Sequence, residues 1–324
     1  MFRQFSRFNV FFQLIIVIVL VLVLFLPAFL SPAPSSIGKD THPLYKFFIS
    51  IIGDAPLIKT IFTFGILVFL AFFLYAILIS NDMHPKESLL PALYYFLLTA
   101  LIERISLGAA LMASLLVVIS LFLIIRIYGS NQPYKQVFSA SFCVSVAALF
   151  YPPAMSFMLF IWLSFLTYRI ASWREWVISL IGAIVPLLYL ISYYYWIGKV
   201  PEIFFNYSDF FSNPLKGFPK FSLWQDIFLG FSGFALLLAL FRQIILLQDK
   251  LISIRRKTWI FIDFMIVAVL SGFLAGNDLP GHLAILAIPG AFFLSSSVTG
   301  KKASLIYELL SVLLVILLVF ARIS

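Results

Sequence analysis

The sequence predicts an all-α polytopic transmembrane helix bundle of about ten or eleven helices, with a cytoplasmic N-terminus and residues 1–324 forming a single integral membrane domain. Three observations predict it. Of the 324 residues, 63% are hydrophobic and only 11% charged, where soluble domains run nearer half apolar and a quarter charged. The apolar residues are gathered into runs, many near the roughly 20 residues a helix needs to cross hydrocarbon. The basic residues sit in short clusters between those runs, as the positive-inside bias requires.

Taken in order, Val10–Leu30 follows Arg3 and Arg7, is too long for a signal-peptide core, and is followed by no small-x-small cleavage site. Pro27 and the Ser31-Pro32-Ala33-Pro34 stretch end it, so a retained first crossing is expected. Tyr45–Ile52 is apolar but too short to span, and is expected to lie along the interface. Crossings follow at Thr60–Ile79, Ser88–Ile102 and Ser106–Ile125. The long run Val137–Tyr168 is interrupted at Tyr151-Pro152-Pro153. Proline has no backbone donor, so the pair should split the run into two helices of about 14 residues, each reaching about 21 Å against a 30 Å hydrocarbon core. The remaining segments are Trp176–Trp196, Leu223–Gln248, Trp259–Ala275, the short Leu283–Ser295 and Ala303–Phe320.

The broken run decides the topology. If it crosses twice, 14 of the 22 Lys and Arg residues fall on the inner side; if it crosses once, only 9 do. The positive-inside rule therefore favours two crossings, eleven helices and an outward C-terminus.

Several function classes are excluded. A net charge of +9 in short clusters, with no basic helix and no Gly-rich phosphate loop, gives no nucleic-acid surface. The single Cys143 rules out an internal disulfide, three histidines rule out a four-His centre, and Ser, His and Asp lack a nucleophile-elbow context. No metal site and no cofactor are expected.

Candidate residues are the ionisable groups near the membrane, where an unpaired charge is costly. Arg242 and Asp263 enter neighbouring helices to similar depth and are expected to form a structural ion pair. On the outer side, Asp40 and His42 precede the interfacial segment, Asp278 and His282 share the loop Gly276–His282, and Asp209 lies in the aromatic loop Gly198–Ser222. A carboxylate near an imidazole can serve as general base or proton relay. The simpler reading, preferred on the residues alone, is that these are ordinary polar loop residues.

Two resemblances add to this. Phe142–Lys199, with LFYPPA, a helix, WREW and a Pro-containing helix ending in YYYW, resembles an uncharacterised family of bacterial polytopic inner-membrane proteins of similar length. Some members carry a carotene monooxygenase label, which the shortage of histidines argues against. More distantly, Asp40 followed by Tyr45–Ile52, and the later His282-Leu283-Ala284-Ile285-Leu286-Ala287-Ile288-Pro289, resemble GT-C membrane glycosyltransferases. That resemblance implies a donor linked to polyprenyl phosphate at the outer face, Asp40 as base and His282 facing phosphate. His42, Asp278 and Asp209 would bind substrate. The chain departs from it in lacking a close acidic pair in the first loop and a late Arg. The expectation is a GT-C-like transferase in the bacterial inner membrane, whose partners are the bilayer and a polyprenyl-phosphate lipid. A non-catalytic scaffold of the cell envelope is the alternative. A transporter ranks third, because the one broken run has no matching partner.

Overall fold

Proline opens the helices that start at Pro43, Pro56 and Leu90, where its missing backbone donor costs nothing and its fixed φ suits the first turn. The computed structural model describes residues 5, 8–30, 42–53, 55–101, 107–130, 132–170, 172–199, 221–299 and 305–323. Among these every regular element is helical: α1 (Val10–Leu30), α2 (Pro43–Ile52), α3 (Pro56–Ser80), α4 (Leu90–Thr99), α5 (Ala109–Ile125), α6 (Tyr134–Phe150), α7 (Phe157–Tyr168), α8 (Trp173–Trp196), α9 (Leu223–Leu246), α10 (Ile252–Phe273), α11 (Leu279–Thr299) and α12 (Leu305–Ile323), with 3₁₀ turns at Pro152–Ser156, Leu247–Asp249 and Gly276–Asp278.

Six helices are long and apolar enough to cross a bilayer: α1, α3, α8, α9 with its 3₁₀ extension, α11 and α12. This is the pattern of a multi-pass membrane protein. Burial sorts them into two layers. In α11, 78% of the apolar window is buried, against 22% in each of α1, α8 and α12. A helix apolar all round belongs in the middle, and one with an exposed apolar surface needs lipid. Around α11 pack α4, α5, α9 and α10. All ten residues of α4 are buried. Small residues permit close approach: a Cβ on Gly290 of α11 would sit 2.9 Å from Leu98 and 3.1 Å from Leu236, and one on Gly182 of α8 would sit 2.7 Å from the Phe138 carbonyl oxygen of α6.

The side-chain contacts define two ends. Gln13 of α1 donates to the Glu87 carbonyl and accepts from the Leu89 amide, which puts the start of α1 beside the start of α4. Lys257 donates to Asn81, and Arg256 to the Tyr168 carbonyl, at the same end. At the other end the Phe29 ring meets Phe64, Trp224 stacks on Phe320, and Arg322 donates to the Ala100 carbonyl. The run 134–168 doubles back: Pro133 and Tyr168 line one cleft, while Tyr151 between them contacts His282 at the opposite end. The two prolines make the reversal by ending α6 at Phe150 and starting a 3₁₀ turn. Apart from α2, the described helices thus run between the two ends, six of them long enough to cross a bilayer. Lys86, Arg126, Lys135, Arg169, Arg174 and the basic residues 250–257 all fall at the end where α1 starts, hereafter the basic end.

Two sequence-based boundaries are corrected. The segment expected at Leu283–Ser295 is a helix of 21 residues that carries Pro289 inside it. Pro280, read as a loop residue, is the second residue of that helix, a position that needs no donor from it. Ser88–Ile102 shrinks instead, to the ten residues of α4.

Candidate functional site

At the far end the first turns of α2 and α11 meet the reversal between α6 and α7. His42 occupies the N-cap position of α2, followed by Pro43. Tyr45, in the first turn, donates to the Leu107 carbonyl at 2.6 Å just ahead of α5, and Phe48 packs edge-on against Phe150 of α6. Asp278 is exposed at the end of the 3₁₀ turn that leads into α11. It lies close enough to Tyr45 and Tyr151 to act on both phenols. Burial, reinforced by the Asp278 carboxylate, pushes the Tyr45 phenol up to about 12, so it stays a hydrogen-bond donor at neutral pH.

His282 is not on an outward loop. It sits in the first turn of α11 with no exposed surface. Its Nε2 lies 2.8 Å from the Ala268 carbonyl oxygen and 3.3 Å from Ser271 Oγ, both on α10. A carbonyl can only accept, so Nε2 carries the proton. Nδ1 is then the acceptor for the Tyr151 hydroxyl at 3.3 Å. Both ring nitrogens are committed inside the protein, and the ring pins α11, α10 and the α6–α7 reversal together. The expected contact between His282 and phosphate is corrected to this internal role.

The structure thus brings His42, Asp278 and His282 to one end, and adds Tyr45 and Tyr151, which sequence reasoning did not single out. Asp40 and Asp209 lie outside the described residues.

The expected Arg242–Asp263 pair is also corrected. Asp263 on α10 accepts a 2.7 Å hydrogen bond from Thr167 of α7. Arg242 on α9 lies 4.5 Å over the Tyr307 ring of α12. Helix α9 packs chiefly on α12 and α11, and α10 on α7, so sequence neighbours are not the neighbours in space.

The basic end holds a cleft of about 320 Å³, lined by Ile127, Tyr128, Gly129, Ser130, Pro133, Tyr168, Ile170, Ser172 and Glu175. Also at this end, burial lowers the His84 imidazole to about 4 and lowers the Lys250 ammonium, which donates to Gln243 at 3.1 Å. No group of three or more His, Cys, Asp or Glu side chains fit to hold a metal occurs among the described residues. Comparison with protein-family models, with curated proteins and with solved structures finds no match to this chain.

Proposed function

We propose that the protein is a GT-C-like membrane transferase that uses a donor linked to polyprenyl phosphate at the far end of the bundle, with the basic end in the cytoplasm and the chain in the bacterial inner membrane. The observation that carries the reading is Asp278, an exposed carboxylate within electrostatic reach of the Tyr45 and Tyr151 phenols at the end where α2 and the start of α11 both approach the α6–α7 reversal. In this reading Asp40 takes the proton of an acceptor hydroxyl as it attacks the donor, and the polyprenyl phosphate leaves. Asp278 and Tyr45 orient the acceptor. His282 touches neither and holds Tyr151 in place. The orientation rests on the concentration of Lys and Arg at one end.

The test is complementation of a deletion strain by Asp40→Asn and by Asp278→Asn, with the membrane level of each protein measured. Normal accumulation with loss of complementation is the expected result. Full rescue by both overturns the catalytic reading. A non-catalytic envelope scaffold is the second reading, favoured by one observation: the histidine at this end is sealed inside the bundle with both nitrogens used.

A further inference from the structure

The cleft at the basic end contains a carboxylate that declines its local partner. Helix α8 opens with Ser172-Trp173-Arg174-Glu175, and helix α9 with Ser222-Leu223-Trp224-Gln225; both read as a capping box. At α9 the box closes: Ser222 Oγ accepts from the Gln225 amide, and Gln225 Oε1 accepts from the Ser222 amide at 3.0 Å. At α8 neither bond of the box forms, and Ser172 Oγ accepts instead from the Arg174 amide one residue earlier. Glu175 is 6% exposed, and its Oε2 has no hydrogen-bond partner. Tyr168, 9% exposed, lines the same cleft with its hydroxyl likewise without a partner. A buried carboxylate oxygen left without a donor is expensive, and Glu175 and Tyr168 both line one cleft, so a ligand there that supplies donors would relieve the cost.

The surroundings say which kind. A carboxylate, a phenol oxygen and the Tyr128 and Tyr168 rings, 5.7 Å apart, suit a compact cation with several N–H donors. Lys257 stands 6.0 Å from the Tyr128 ring, and exposed Arg169 and Arg174 are chain neighbours of Tyr168 and Glu175, so positive charge is carried beside the cleft and suits an anion. The exposed Trp173 lies beside them, as a side chain does at the level of lipid headgroups. We propose that this cleft binds a primary ammonium borne next to a phosphate, the chemistry of a phosphoethanolamine group. The ammonium meets Glu175 and Tyr168, and the phosphate meets the positive charge beside the cleft. This site is at the opposite end from the proposed transferase centre and stands whether or not that reading holds.

The experiment uses the purified full-length protein, delipidated in detergent and titrated with phosphatidylethanolamine, its mono-, di- and trimethylated forms, and phosphatidylglycerol, with bound lipid counted by native mass spectrometry. The wild type should bind the primary amine about tenfold more tightly than the trimethyl form, with affinity falling at each methylation. Glu175→Gln and Tyr168→Phe should each flatten that series. Equal binding of all the lipids by the wild type, or a series unchanged in Glu175→Gln, overturns the proposal. The methylation series on the wild type reads the site without any variant. A parallel titration with soluble O-phosphoethanolamine separates the sources: protection against thermal unfolding at millimolar concentration identifies a soluble ligand, and protection by the lipid alone identifies a membrane headgroup.

Discussion

His282 and Glu175 are both buried polar side chains in the first turn of a helix, one at each end of the bundle, and their surroundings treat them in opposite ways. His282 has a partner for each nitrogen and no exposed surface. Glu175 has an oxygen with no partner and an adjacent cavity. Burial alone therefore says little about function. The informative quantity is whether the hydrogen-bonding capacity of a buried group is used up by the protein itself.

The largest effect that would break this contrast is on stability. His282→Ala leaves a void and strands the Tyr151 hydroxyl, and should cost about 2–4 kcal/mol in unfolding of the detergent-solubilised protein. Glu175→Gln, measured without added lipid, should cost nothing or raise the melting temperature, because the side chain it replaces has a buried oxygen that no donor inside the protein satisfies. If the two substitutions destabilise equally, the distinction between a satisfied and an open group fails.

A smaller effect sharpens the comparison of the two caps. Ser222→Ala opens a closed capping box and should cost about 1 kcal/mol of thermal stability, while Ser172→Ala, which removes a single bond to the Arg174 amide, should cost less.

The smallest effect is confined to a pH window. His84 is buried in the connection from α3 to α4, and its imidazole is held near 4 against about 6.5 in the unfolded chain. Between those values the unfolded chain binds a proton that the folded chain refuses. Stability should therefore fall as pH drops from 6.5 to 4 and lose no more below that, and His84→Gln should remove this component of the melting curve.

Much of the architecture was legible in the sequence because the relevant physics is local. Paired prolines must interrupt a helix, and Pro152-Pro153 does so. The Tyr45–Ile52 stretch, read as too short to span, lies in a helix of only ten residues, Pro43–Ile52. The misread elements depended on context. Pro280 and Gly281 looked like a loop, yet a proline in a first turn is compatible with helix, so His282 moved from surface to core. The Arg242–Asp263 pair assumed that consecutive helices pack together, which α9 and α10 do not do to any extent. The open carboxylate of Glu175 was invisible for a different reason: Ser-x-x-Glu reads as a finished cap, and only the geometry shows that the box does not close.

Helix α4 also constrains how the protein is made. Ten residues rise about 15 Å, half the hydrocarbon thickness, so this segment holds its place through neighbours and not through lipid. The neighbour it touches most is α11, which leaves the ribosome long after α4 has been synthesised. Until then α4 has chiefly α3 and, more weakly, α1 to pack against, so its burial is completed late. A chain cut short before α11 would leave α4 stranded, a ready signal for membrane quality control.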